Sequence, residues 1–274
     1  MKIKKLGTAA VSALAVASIA LAGCSGTDSA AGSAQAGGAA KDGYTLVEDG
    51  KLTVATSAEY EPFEYIEDGE YKGFDLELIQ KVAEKLGLEA EFVNIDFDSV
   101  VPSVSSGTKA DAGIAAITVT PERKKDVDFT DDYYMDDQAI VTMKDNADVT
   151  ADTYKDALNT AEKTIIVQSG STAESLAKET FPDATIKPFK NATECFSALQ
   201  AGQGDALVTN RSVAAQMVAN QFSDCQMIKQ ISTGENYAIC VSKENSALTD
   251  KINDALAELK EDGTIDDLMA KYNV

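Results

Sequence analysis

Polar and apolar positions alternate in a regular order along residues 51–117. Residues 51–57 (KLTVATS) read as a short strand ending in polar residues. Residues 74–86 place Leu76, Ile79, Val82, Ala83 and Leu86 on one helical face, and Gly87 stands where that helix should stop. Residues 88–93 form the next strand. Asp98 is placed to cap a helix running to Gly107, and residues 110–117 are an apolar strand. This β-α-β-α-β order predicts a mostly parallel sheet with helices on its faces.

A second series begins after Tyr134. Strands are expected at 139–143, 164–168, 185–189 and 206–209, with helices at 171–181, 191–201 and 211–220 between them. A strand at 237–241 and helices at 246–261 and 264–272 close the chain. Two α/β blocks with a last segment left over suggest that the chain returns to its first lobe. Ligands of such sheets sit beyond the carboxyl ends of the strands, and two lobes make a cleft.

The first residues follow a different pattern. Lys2, Lys4 and Lys5 precede an uncharged, alanine-rich stretch that ends in Leu21-Ala22-Gly23-Cys24. A basic start, an apolar run of this length and small residues before a cleavage point describe an export signal at 1–23, too short for a comfortable membrane span. The cysteine directly after them resembles a bacterial lipobox, with Cys24 as the lipid attachment site. Residues 24–43 are rich in Ala, Gly and Ser and cannot bury enough apolar surface to fold, so they read as a tether. The folded body starts near Tyr44.

Composition then removes whole classes of chemistry. The chain has 274 residues, no histidine, and a formal net charge of −21. Without histidine there is no Ser-His-Asp or Cys-His catalysis and no ordinary zinc site. The acidic surface argues against nucleic acid and anionic lipid head groups as partners. Besides Cys24 there are Cys195, Cys225 and Cys240, none in a C-x-x-C pair. Cys225 and Cys240 could pair, and burial as small apolar side chains is equally credible.

Three places supply parts of a carboxylate site. Ser171 and Glu174 form an S-x-x-E capping box after Gly170, so a helix should start there with N–H groups free for an anion. A purely structural cap reads the same way. Thr120-Pro121 reads as the start of a helical turn that sets Arg123 beyond the preceding strand. Arg123 and Arg211 are the only arginines, against twenty-two lysines. A guanidinium grips a carboxylate with two parallel hydrogen bonds; a surface ion pair with a nearby acid explains Arg123 equally well. Tyr60 and Phe97 would lie at strand ends of the first lobe, where two rings can sandwich a ligand, while Phe63 and Phe74 read as core.

The order of these motifs resembles the family 3 extracellular solute-binding proteins, the polar-amino-acid binders of ABC importers. Gly73-Phe74-Asp75-Leu76-Glu77-Leu78 with Val82-Ala83 and Leu86 resembles the signature helix of that family. Residues 118–123, Asp128-Phe129-Thr130 to Tyr133-Tyr134, Gly170-Ser171-Thr172, Glu261-Asp262-Gly263-Thr264 and Lys271-Tyr272 match in order. The resemblance covers essentially all of 44–274.

It implies a type II periplasmic-binding fold: lobe 1 from 44–136 and 237–274, lobe 2 from 137–236, and a two-stranded hinge near 135–138 and 236–238. It further implies that Arg123 takes a ligand's α-carboxylate, helped by Thr118 and by N–H groups at Ser171 and Thr172. Tyr60 and Phe97 would flank the side chain, Ala115 and Ala116 would face the ammonium, and Gln168 would complete the wall. The family usually has an aspartate where Asn210 stands, and that carboxylate holds the ammonium. Weaker binding, compensation by an acid such as Glu59, or a ligand without the amine would each follow. Several relatives carry an acid at the position of Ser57, which leaves the side-chain preference open.

The implied partners are a small-molecule ligand, ABC permease subunits, and a membrane met only through the lipid, at the outer face of the cytoplasmic membrane. The protein is expected to be a monomer without metal or cofactor. The alternatives are a binder of amine-free carboxylates or amino-acid derivatives, or a carboxylic-acid dehydratase on the same scaffold with Glu59 as its one placeable acid. A sensory domain is disfavoured because no kinase or spanning segment accompanies it.

Overall fold

The computed structural model describes residues 43–274; the signal segment, Cys24 and the tether up to residue 42 lie outside the described residues. From Tyr44 onward the chain packs at once, with Tyr44 and Leu46 buried and the Val47 N–H donated to Asp111 at 2.8 Å.

The apolar run at the start becomes β1 (Lys51–Thr56), followed by a small antiparallel sheet of β2 (Glu59–Tyr60), β3 (Glu64–Glu67) and β4 (Glu70–Lys72). Helix α1 (Phe74–Leu86) ends in Gly87, whose left-handed backbone turns its amide to the Ala83 and Glu84 carbonyls. The buried arc of α1 is wider than its apolar stripe. Phe74, Asp75 and Leu78 are enclosed as well, because the first turn is bonded to the Pro62 and Phe63 carbonyls under the small sheet. Gly73, at φ 122°, lies so close to the Phe63 carbonyl that no Cβ fits there.

β5 (Glu89–Asn94), α2 (Phe97–Ser105), β6 (Ala112–Gly113) and β7 (Val127–Phe129) complete the first half. The second half holds β8 (Tyr134–Met143), a short α3 (Tyr154–Leu158), β9 (Thr164–Gln168), α4 (Thr172–Thr180), β10 (Thr185–Phe189), α5 (Ala192–Gln200), β11 (Ala206–Asn210), α6 (Arg211–Asn220) and β12 (Cys225–Tyr237). β13 (Cys240–Ser242), α7 (Ser246–Glu261) and α8 (Thr264–Tyr272) return to the first half.

The two main sheets share one plan. One runs β5-β1-β6-β13-β7 and the other β10-β9-β11-β8-β12. In each, four strands point the same way and the fourth in order, β13 or β8, opposes them. Those opposed strands follow the two crossings between lobes. At the crossing β8 and β12 pair antiparallel, Asp136 with Glu235, Met135 with Asn236 and Tyr134 with Tyr237. Below it Phe63 meets Tyr134 and Tyr237 edge-on at 5.1 and 5.5 Å, contacts worth about 0.5–1.5 kcal/mol each beyond burial.

Several expectations need correction. The strand expected at 110–117 pairs only at Ala112–Gly113, because Ala116 takes a left-handed φ of 46° and its N–H turns to Asp75. Asp98 does not cap α2; it lies inside the first turn, after Asp96. The strand expected at 237–241 is split between the end of β12 and β13. β12 itself, β7, the small sheet and α3 were not foreseen. The three cysteines are free and buried, their thiols pushed up to about 12, 11 and 12 by burial, so the Cys225–Cys240 pairing is not made. Among the described residues no helix is long and apolar enough to cross a membrane.

One buried carboxylate should make stability depend on pH. Asp75 accepts hydrogen bonds from the Ala116 N–H and the Tyr133 hydroxyl, both at 2.7 Å, yet burial still pushes its pKa up to about 7. Its charge, after burial, also raises its neighbour Glu64, whose oxygens have no hydrogen-bond partner among the described residues. A folded pKa above the unfolded value of about 3.9 means that the contribution is full below pH 4 and is lost as pH rises towards 7. Asp75→Asn keeps an acceptor without the charge. Its thermal midpoint, measured relative to the unaltered chain, should therefore rise between pH 5 and pH 8; a constant difference would rule this out.

Candidate functional site

Between the two main sheets lies a narrow space with a cavity volume of only about 10 Å³. The first lobe contributes Tyr60, Phe97, Ala116, Thr118 and Arg123 to its wall, and the second Gln168, Ser171, Thr172 and Asn210. Nine sequence candidates thus share one space. Ser57 and Ala115 are buried outside the lining. Glu59 is exposed and lies outside it too.

Local backbone chemistry positions each group. Thr120 accepts the Arg123 N–H at 3.1 Å, which starts a single 3-10 turn at Arg123–Lys125. The guanidinium then points into the cleft. Its Nη1 donates to the Thr118 carbonyl at 2.8 Å, its Nη2 to the Gly170 carbonyl of the other lobe at 3.1 Å, and its carbon lies 5.4 Å from the Phe97 ring centre. No carboxylate pairs with it among the described residues, so it is held by neutral carbonyls and a ring face. Burial lowers its pKa, an effect that leaves it charged at any physiological pH.

Opposite, Ser171 caps α4 by accepting the Glu174 N–H at 3.2 Å, while Glu174 reaches back to the Gly170 N–H at 2.8 Å. The first turn of α4 therefore faces the cavity with N–H groups that have no intrahelical acceptor. Gly170, at φ 74°, packs against Asp98 of the first lobe, where a Cβ would come within 2.9 Å of the Asp98 Cβ. Ser169 donates to Asp98 at 3.0 Å and Lys190 to Asp96 at 2.8 Å across the same rim. Tyr60 crosses from the first lobe and donates its hydroxyl to the Asn210 Oδ1 at 2.6 Å.

Behind this wall stands a group that the sequence reading missed. Glu235, on β12 at the crossing, is 9% exposed and accepts four hydrogen bonds. Thr118 and Thr172 each donate a hydroxyl at 2.8 Å and Asn210 its Nδ2 at 3.2 Å to one oxygen; Gln138 donates Nε2 at 2.9 Å to the other. No lysine or arginine pairs with it among the described residues. The only available signal was its place two residues before Tyr237, and the polar run around it (STGEN) does not read as a strand.

Known proteins share this architecture. The chain is 34% identical over 207 residues to the ABC transporter glutamine-binding protein GlnH of Bacillus subtilis, covering 74% of this chain and 73% of the relative. An ancestral arginine-binding protein bound to glutamine superposes with a TM-score of 0.76 at 40% identity, over 82% of this chain and 98% of that one. The ancestral amino acid-binding protein AncCDT-1, a precursor of cyclohexadienyl dehydratase, gives 0.75 at 37% identity over 81% and 95%. With its residues 52–274 matched by the family model, this chain belongs to the bacterial extracellular solute-binding proteins, family 3.

Proposed function

We propose that this protein captures a polar α-amino acid in the cleft between its lobes and delivers it to the permease of an ABC importer. The observation that carries the reading is Arg123: a guanidinium fixed by two backbone carbonyls, with no carboxylate partner, in a cavity lined from both lobes. A fork held in that way is preorganised for an α-carboxylate, which the first turn of α4 would meet from the other side. Tyr60 and Phe97 supply flat apolar surface for the ligand's side chain. Two of the relatives named above, GlnH and the ancestral arginine-binding protein, bind glutamine or arginine, in keeping with a polar ligand.

In this reading lobe 1 comprises 44–136 and 237–274, lobe 2 comprises 137–236, and the β8–β12 crossing is the hinge. Residues 1–23 are removed on export, Cys24 carries lipid at the outer face of the cytoplasmic membrane, and 24–43 tether a monomeric receptor. A dehydratase would need a proton-transferring group facing its substrate. The lining has no carboxylate, histidine or cysteine, which favours binding without catalysis.

Thermal unfolding against the twenty amino acids tests the main claim. A ligand at a thousandfold excess over its Kd should add about 4 kcal/mol, and each kcal/mol moves the midpoint of a body this size by roughly 2–4 °C. One amino acid or a few should produce such a shift, Arg123→Ala should remove it, and Arg123→Lys should keep only a small part. A panel without any shift, or a full shift in Arg123→Ala, would refute the assignment. The anchor is tested separately: Cys24→Ala should abolish incorporation of labelled palmitate and leave the protein off the membrane fraction.

A further inference from the structure

Asn210 stands where a carboxylate is expected for an amino acid's ammonium, and the structure holds a carboxylate one hydrogen bond behind it. We propose that Glu235 is the positioning residue for the ligand's α-ammonium, its charge acting through the hydroxyls of Thr118 and Thr172 and the amide of Asn210. This rests on the amino-acid reading above.

The argument is one of proton counting. A threonine hydroxyl has a single proton and two lone pairs. Thr118 and Thr172 each commit that proton to Glu235 at 2.8 Å, so what they can turn towards the cavity is acceptor only. Thr172 also accepts from Gln138 at 3.1 Å, which leaves it one lone pair. Asn210 gives one of its two Nδ2 protons to Glu235, and its Oδ1 takes the Tyr60 hydroxyl at 2.6 Å with one acceptor direction left. The two hydroxyls are thereby fixed as acceptors, and Asn210 keeps one acceptor direction beside them, with a negative charge behind all three, which is what an ammonium requires. A neutral residue at 235 would leave the two hydroxyls free to rotate and present donors instead.

The charges of the site are also spaced for a zwitterion. Thr118 joins its two ends: its carbonyl accepts from Arg123 and its hydroxyl donates to Glu235. A cation without an anion and an anion without a cation thus lie on either side of one residue, as the two charged groups of an α-amino acid lie on either side of Cα. The same geometry accounts for the asparagine. With Asn210 Nδ2 only 3.2 Å from Glu235, an aspartate would set two carboxylates in one buried site, where both cannot readily ionise. In this chain the carboxylate stands on the crossing strand at 235 and not at the strand end at 210. Glu59, the acid expected to compensate, is exposed and takes no part.

Calorimetric titration of the full chain tests this. The probes are the twenty amino acids, each that binds being paired with its counterpart lacking the α-amino group, such as 5-guanidinopentanoate for L-arginine and 4-carbamoylbutanoate for L-glutamine. Glu235→Gln should weaken amino-acid binding by roughly ten- to hundredfold and leave the amine-free counterpart unchanged or tighter. Asn210→Asp alone should not improve binding. The double variant Asn210→Asp/Glu235→Gln, with one carboxylate again in the cluster, should recover the preference for the amine. Equal weakening of both probes in Glu235→Gln, or no weakening, would overturn the proposal while leaving the receptor reading intact. If Glu235→Gln does not fold, a double variant without preference for the amine overturns it in the same way. An unaltered chain that binds no amino acid would overturn both.

Discussion

The antiparallel pairing of β8 with β12 is the constraint on which the rest of the molecule depends. It carries the chain from one sheet to the other and brings it back, and its register decides what faces the cleft. Between Ile231 and Glu235 the register slips, so that β12 carries extra residues against β8. Asp137 holds this irregular stretch by accepting the Thr233 and Gly234 N–H groups at 2.9 and 3.0 Å. Bulges re-aim side chains, and here the outcome is Glu235 turned inward with Asn236 left at the surface. Had the ladder run on from the Ile231–Gln138 pair without the slip, Thr233 and not Glu235 would stand opposite Asp136.

Electrostatics inside the cleft follow other rules than those outside. At the surface, lysines meet carboxylates in pairs such as Lys51 with Glu48 and Glu91, or Lys81 with Glu84, each worth about 0–1 kcal/mol. The two arginines are used differently. Arg211, its side chain partly exposed, lies 3.4 Å from the buried Asp136 on β8 and pairs with it. Arg123 has carbonyls and a ring instead. Its desolvation is thus offset only in part within the chain, and in the proposed reading a ligand's carboxylate would supply what is missing.

Much of this was legible from residues alone, and the failures share a cause. α1, α7 and α8 are legible because each has an amphipathic stripe, with Gly87 and Gly263 marking where α1 and α7 stop. The capping box at Ser171 and the turn at Thr120 could be read because both depend on neighbours in sequence. β12 could not: its outward residues are polar, its pairing is with a strand some ninety residues earlier, and its Gly234 reads as a breaker. The strand expected at 110–117 failed for the opposite reason. Its apolar residues are buried, yet Asp75, distant in sequence, draws the Ala116 amide out of the ladder. Glu235 escaped notice because its meaning lies in which hydroxyls point at it, a fact of tertiary structure.

The position of that acid on the crossing strand ties chemistry to mechanics. Thr118 belongs to one sheet's side of the cleft, Thr172 and Asn210 to the other, and all three converge on a residue of the strand that must bend. Closing the lobes around nothing would bury an arginine and a glutamate with no counter-ion for either, a cost that keeps such a closed form scarce. A zwitterion bound as proposed would remove both deficits at once. On the proposed roles of Arg123 and Glu235, the free-energy gap between open and closed forms would be tied to the ligand's own charge pattern, and the closed shape itself would report that the right kind of molecule is inside.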